Sequence, residues 1–297
     1  MKSRKSTLLA VFTLSFSVLL AQDYAFRVMS SKGTNEVKSG DSWQPVKVGG
    51  TLKAEDELRL SGNSYIGLLH KTNKPMELRE AKVYKVSDLA SQIGTGSGAL
   101  NKYTDFILSN NPDDKKNKLS ATGAVHRAVD NNPINLMLPE SQYSGVYNNI
   151  VVVKWDSKVL TGPYTVVISD LYEEELAKIE TSETSIRIDL SQPKFAEKTS
   201  PAFTVKVTSK VEPNKGSKIY TVKRLSTSDK EKVGKMLSDI QGDLVDQTAF
   251  NYFILAGFYE SQGLLIDAMA AFEDAVKIEP LYQEDYDYFL QRHGMKR

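Results

Sequence analysis

The residue types that most often carry chemistry are sparse in this chain and badly spaced for it. The three histidines, His70, His126 and His293, stand far apart. None lies in an H-E-x-x-H pattern, which would set two imidazoles on one helix face around zinc. There is no cysteine, which excludes disulfides, thiolate metal sites and a thiol nucleophile. Acids gather at 173–175 and at Glu284, Asp285 and Asp287. A calcium loop needs oxygen ligands at fixed offsets around a central glycine. "EDYDYF" has no glycine, and aromatics flank its acids at helical spacing, so it reads as a solvated helix face. For glycoside hydrolysis, no motif selects a pair from among 37 acids. "GTGSGA", with Gly94, Gly96 and Ala99, echoes a dinucleotide loop. Such a loop follows a strand and opens a helix within a βαβ unit. Helix-like sequence precedes this one, so it reads as a flexible connector. G-x-S-x-G is absent. No catalytic, cofactor or metal residue is assigned, and the chain is read as non-enzymatic.

Binding is the chemistry left. The stretch "YFILAGFYESQGLLIDAMAAFEDAVKIEP", 252–280, reads as one helix–turn–helix unit. Ala256 and Ala268 are small where two helices must cross closely. Tyr259 and Phe272 fill the space beside them, Gly263 falls at the turn, and Pro280 cannot continue a helix. Asn251, Phe258 and Glu260 are read as exposed positions of the first helix and are the candidate partner-binding residues, because exposed aromatics often anchor peptides. An alternative places a carbohydrate-binding or hydrolytic site on a β-sandwich. Its candidate stacking residues are Trp43, Trp155 and Tyr164.

These residues must be positioned by β-rich sequence and terminal helices. From 24 to 86, short strand-like runs such as "YAFRVMS" and "SYIGLLH" alternate with Gly, Asn and Pro turns, giving a small antiparallel β domain. From 87 to 110, Ser87 is a candidate cap for a helix carrying Leu89, Ala90 and Ile93. A second helical piece carries Leu100, Tyr103, Phe106 and Ile107. "SNNPDDKKNKLSATG" then reads as a linker. Six strand-like runs follow, "INLMLP", "NIVVVKW", "PYTVVIS", "SIRIDL", "AFTVKV" and "IYTVKRL", with the spacing of an immunoglobulin-like sandwich. "DLYEEELAKIETSET" fits either a short helix or a long hairpin. From 228 onward the pattern is helical. Ser228 with Glu231 fits a capping box, and Val233, Met236, Leu237, Ile240, Leu244 and Val245 share a stripe.

Charge argues against nucleic acid. The formal net charge is +1, and Lys2, Arg4 and Lys5 supply three of the basic residues. A near-neutral surface gives no steering toward DNA or acidic lipid. "MKSRK" precedes an apolar run from Leu8 to Leu20, and Ala21 follows. This is the layout of a cleaved secretory signal, and the run is shorter than the roughly 18–20 residues that span a bilayer. No stable membrane insertion is expected after cleavage.

Two resemblances add to this reading. The hairpin at 252–280 resembles the tetratricopeptide repeat: Tyr252, Leu255, Ala256 and Tyr259 match its first helix, and Ala268, Phe272 and Ala275 its second. A lone repeat cannot bury its own faces, so flanking helices at 229–246 and 282–292 are expected to stack on it. The segment "EVKSGDSWQPVKVGGTLKAEDELRLSGNSYIGLLHKTNKPMELREAKVYKV" resembles the FecR-like β domain of bacterial envelope proteins. Gly49, Leu52 and Asp56 match its turn and 64–70 its strand, while "TNKP" stands where the family commonly has glycine. This resemblance implies a periplasmic module for protein contacts, in some members a sensor of outer-membrane transporters. Only a short stub precedes the apolar run, so signalling across the membrane by this chain alone is not expected. The combination resembles envelope proteins of the Bacteroidota.

The expected fold class is α+β and multidomain. A signal peptide covers 1–21, a FecR-like β domain with helical extension 22–110, and a linker 111–123. An immunoglobulin-like β-sandwich covers 124–225 and a TPR-like helical domain 226–297. The expected function is that of an exported, periplasmic scaffold (alternatively secreted or at the cell surface). It would recruit a protein partner of the cell envelope through its terminal helices.

Overall fold

The computed structural model of the chain describes residues 24–112, 132–139, 142, 145–157, 160–196 and 201–296. The expected signal peptide and most of the expected linker lie outside them.

Alternating apolar residues drive the first domain into two antiparallel four-stranded sheets. The strands are β1 (Phe26–Lys32), β2 (Asn35–Ser39), β3 (Ser42–Pro45), β4 (Thr51–Leu52), β5 (Glu57–Leu60), β6 (Tyr65–His70), β7 (Pro75–Leu78) and β8 (Val83–Lys85). Their orders are β4-β1-β6-β7 and β3-β2-β5-β8. Gly40, at φ 78°, opens the two-residue turn between β2 and β3, where a side chain would be strained. Every residue of β6 is buried. Ile66 and Leu68 join Phe26, Val28 and Leu58 in the domain's own core. Tyr65 and Leu69 belong to a second, larger core that continues into the C-terminal helices. "YIGLLH" is apolar at almost every position because both faces of the strand are covered.

The second domain is a sandwich. Its strands are β9 (Asn135–Leu136), β10 (Gly145–Val146), β11 (Ile150–Asp156), β12 (Tyr164–Asp170), β13 (Glu175–Thr181), β14 (Ser185–Asp189), β15 (Ala202–Ser209) and β16 (Tyr220–Arg224). They form sheets of order β10-β16-β15-β12-β13 and β14-β11-β9, an immunoglobulin-like arrangement. Strands β10 and β16 pair in parallel and the remaining pairs are antiparallel. All six expected strand runs are strands, and β10 and β13 join them. The segment at 170–184 is the hairpin of the two readings, with β13 pairing back onto β12. One carboxylate oxygen of Asp170 accepts the N–H groups of Tyr172 and Glu174 at 2.9 Å each, which closes its turn. Val151, Val152 and Val153 of β11 are all fully buried, so this strand too is covered on both faces.

Helices α1 (Val86–Ser91) and α2 (Asn101–Ser109) follow the first domain, and α3 (Pro193–Ala196) lies within the second. The terminal helices are α4 (Thr227–Gln241), α5 (Ala249–Ser261), α6 (Leu265–Ile278) and α7 (Gln283–Arg292). A 3-10 turn, Pro280–Tyr282, precedes α7. The fold is therefore α+β, with several antiparallel sheets and a C-terminal helical segment. Three expectations are corrected. Helix α1 begins at Val86 with no side-chain cap, so Ser87 lies inside it rather than capping it. The cap of α4 is Ser226, whose hydroxyl accepts from the N–H of Asp229 at 3.2 Å, rather than Ser228. The helix stops at Gln241, so Val245 leaves the buried stripe and is 75% exposed. The α5–α6 turn is a Schellman motif. Gly263 has φ 71°, its N–H reaches Glu260 O at 2.9 Å, and the N–H of Leu264 reaches Tyr259 O at 2.9 Å. Among the described residues, no helix is long and apolar enough to cross a membrane.

Helix α5 sits directly on the first domain and its helical extension. A Cβ at Gly67 of β6 would lie 2.6 Å from the Phe250 ring, and one at Gly257 of α5 would lie 2.4 Å from Ile107 of α2. Gly67→Ala should cost about 1–3 kcal/mol through overpacking. Gly257→Ala should cost less than its clash alone, because the helix gains about 1 kcal/mol from alanine. Urea titration of both variants checks the size and the order.

Candidate functional site: the faces of the C-terminal hairpin

Helix α5 reads "AFNYFILAGFYES". Phe250, Phe253, Ile254, Ala256, Phe258 and Tyr259 point in every direction around its axis and all are buried. A helix that is apolar all round has no free side to offer solvent. Its neighbours come from every part of the chain.

On one side lies the first β domain. Phe250 packs over Gly67, and its N–H donates to Glu77 at 3.2 Å. Tyr282 packs edge-on to Tyr65 at 5.3 Å and stacks on Phe253 at 4.9 Å, and its hydroxyl donates to that of Tyr65 at 3.2 Å. Lys32 of β1 pairs with Asp285 of α7 at 3.0 Å, both largely buried. Arg79 reaches Glu279 at 3.0 Å. Burial pushes the Asp285 carboxyl above its usual range, against the pull of Lys32.

On another side lies α2. Tyr103 packs edge-on to Phe258 at 5.0 Å. Phe258 in turn meets Tyr259 at 5.3 Å, and Tyr259 faces Tyr147 of the sandwich at 6.3 Å. A line of four rings thus runs from the helical extension of the first domain, through α5, into the second.

The sandwich holds the third side. Asp267 of α6 is almost fully buried and accepts the N–H groups of Tyr147 and Asn148 at 2.8 Å each. Asn148 donates to the Tyr259 hydroxyl at 2.8 Å. At the rim, Lys154 meets Glu273 at 3.3 Å and Arg187 meets Asp274 at 2.9 Å. Burial pushes the Asp267 carboxyl up to about 6, with the two backbone N–H groups pulling the other way. Burial also raises the Tyr259 phenol to about 12.

The exposure expected of the three partner-binding residues is corrected. Asn251 is 5% exposed, Phe258 0% and Glu260 8%. The Asn251 amide donates to Asp246 O at 2.8 Å. Phe258 is the second ring of the line above. Glu260 receives Arg292 through two hydrogen bonds, of 2.8 and 2.5 Å, and meets His293 at 2.7 Å. Burial raises its carboxyl, but the hydrogen bonds from His293 and Arg292 and the guanidinium charge outweigh that, so it lies below its ordinary value. The signal was present in the sequence, because the first helix has no polar stripe.

The residues of the alternative site form no shared surface. Trp155 and Tyr164 are buried against each other, edge to face at 5.4 Å, inside the sandwich. Trp43 lies on the first domain beneath the Arg59 guanidinium, 4.2 Å from its ring. His70 is buried beside Phe26 and bonded to Thr72 at 2.8 Å. Burial and then Lys71 lower its basicity. His126 lies outside the described residues. The acids of α7 do not share one solvated face, since Asp285 is buried and Asp287 pairs with Lys296 at 2.8 Å. The glycine-rich segment is tied down. Ser97 donates to Asp243 through its N–H at 3.1 Å and its hydroxyl at 2.5 Å. Lys74 meets the same carboxylate at 3.2 Å. A Cβ at Gly96 would lie 2.1 Å from Thr72 O, so its glycine serves close backbone approach.

The chain matches no protein-family model, and no curated protein matches it.

Two outcomes follow from this packing. Phe258→Ala should cost about 3–5 kcal/mol of stability, as for a large buried ring, whereas a surface anchor would leave chemical denaturation unchanged. For Asp267, the folded-state value of about 6 lies above the ordinary 3.8. Its favourable contribution is therefore complete below about pH 4 and lost as pH rises through about 6, a change of about 3 kcal/mol. The stability difference between the wild type and Asp267→Asn should shift by that amount from pH 4 to 7, against the wild type. Paired urea titrations across pH read it directly.

Proposed function

We propose that this protein is a non-enzymatic scaffold of the bacterial cell envelope, acting in the periplasm by presenting a fixed pair of β domains to a protein partner. The supporting observation is that the faces of the α5–α6 hairpin are filled by the chain's own α2, first β domain and sandwich. In this reading the hairpin is a TPR-like unit whose guest is internal. It recruits the partner by holding two β surfaces at one spacing. The remaining outer surface, including the exposed residues of α4, stays open to contact. The basic-then-apolar leader at 1–21 supports export. The likeness of 36–86 to FecR-like domains supports a module for protein contacts.

The test is cross-linking in intact cells followed by mass spectrometry. The expected result is a reproducible envelope protein cross-linked to exposed lysines of the β domains, such as Lys47 or Lys206, or of α4, such as Lys230. Cross-linked neighbours drawn only from the cytoplasm would sink the reading. So would an envelope neighbour whose cross-links are unchanged when the β-domain and α4 lysines are replaced by arginine.

A further inference from the structure

The described strands leave eight sheet edges, and seven of them are short or interrupted. Strands β4, β9 and β10 have two residues each, and β8 has three. Strands β3 and β7 have four residues each and contain Pro45 and Pro75. Strand β14 has five. Short edges and prolines are the usual means of preventing edge-to-edge association. Strand β13 differs. It runs for seven residues, "ELAKIET", without proline, at the end of the five-stranded sheet. Among the described residues no strand pairs with its outer side, and α3 lies against it without strand pairing.

The side chains of β13 divide cleanly. Ala177, Ile179 and Thr181 stand opposite the buried Ile168, Val166 and Tyr164 and so share the inward face. None is charged, so the edge has no inward-pointing charge to block a neighbour. Lys178 and Glu180 are on the outward face, both exposed. The pairing with β12 shifts register between Ile168 and Ser169, at the start of β13. This leaves 177–181 as the regular stretch.

We propose that β13 is a homodimer interface, pairing antiparallel with β13 of a second copy across a two-fold axis at Ile179. That register sets Ile179 against its own copy and Ala177 against Thr181 on the inward face. On the outward face it sets Lys178 against Glu180 in both directions, so each strand supplies both charges of a complementary pair. A register centred on Lys178 would set ammonium against ammonium, which is unfavourable. Glu180 already meets Lys210 at 2.5 Å within its own sheet, with both side chains about half exposed, and the second copy's Lys178 joins it from the open side. The same sandwich appears twice in a continuous sheet, as an isologous C2 contact requires. One strand pair covers less area than a standard interface, so a dissociation constant in the micromolar range is expected.

Sedimentation equilibrium of the purified protein, over about two decades of micromolar concentration, tests this. The wild type should move from monomer to dimer mass. Lys178→Glu and Glu180→Lys each set like charges face to face, and each should weaken association by about tenfold or more. The double swap should restore it. Both positions are exposed, so circular dichroism should be unchanged in all variants. A wild type that stays monomeric throughout overturns the proposal. Single swaps that leave the dimer intact place the contact elsewhere and also overturn it, and failure of the double swap to restore association overturns this register.

Discussion

An α-helix with apolar residues all round its circumference cannot face water on any side, and α5 is such a helix. The organisation of the molecule follows from covering it. Helix α6 covers one side, α2 a second, and the sheet containing β6 a third, through the close approach of Phe250 to Gly67. The sandwich meets the far side of the hairpin through Tyr147 and β11. The two β domains touch the same helical unit, and that unit is the joint between them. A lone helical repeat is a poor module by itself, but here it has the company it needs within its own chain.

Around this apolar centre lie buried carboxylates, each answered by a different segment. Asp243 is met by Ser97 and Lys74, Asp267 by the backbone of Tyr147 and Asn148, and Asp285 by Lys32. Glu260 differs in that its partners, Arg292 and His293 at the end of α7, lie within the terminal helices themselves. Burying charge adds little net stability even when paired, but losing one partner is costly, at about 3–5 kcal/mol. The first three contacts therefore act on orientation. Hydrophobic burial alone would let each β domain slide or rotate over an oily surface, and a carboxylate that must meet two particular N–H groups selects one seat.

The architecture was legible in the sequence to the extent that it is local. Strand runs with turn residues between them gave β1, β6, β11 and β12, and the small-residue pattern with Gly263 gave the α5–α6 hairpin. What was not legible came from distant segments. Phe258 is buried by Tyr103, and Gly257 needs to be glycine because of Ile107; neither neighbour is close to it in sequence. "YIGLLH" and "VVV" read as strands, but their unbroken apolar character also announced a second covered face. The same reasoning applied to "AFNYFILAGFYES" forecasts burial of Asn251 and Glu260 along with the aromatics. The glycine-rich connector looked loose because its anchors, Asp243 and Thr72, belong to other elements.

The joint is made last. Helices α5 to α7 follow both β domains in the chain, so a polypeptide emerging from a ribosome or a translocation pore presents two finished β domains before the piece that unites them exists. Until then Tyr65, Leu69 and the outer face of β11 face water. Such half-built states are the ones that chaperones shield and proteases sample. Loss of a few dozen terminal residues would therefore do more than delete one domain: it would leave both survivors with bare oily faces.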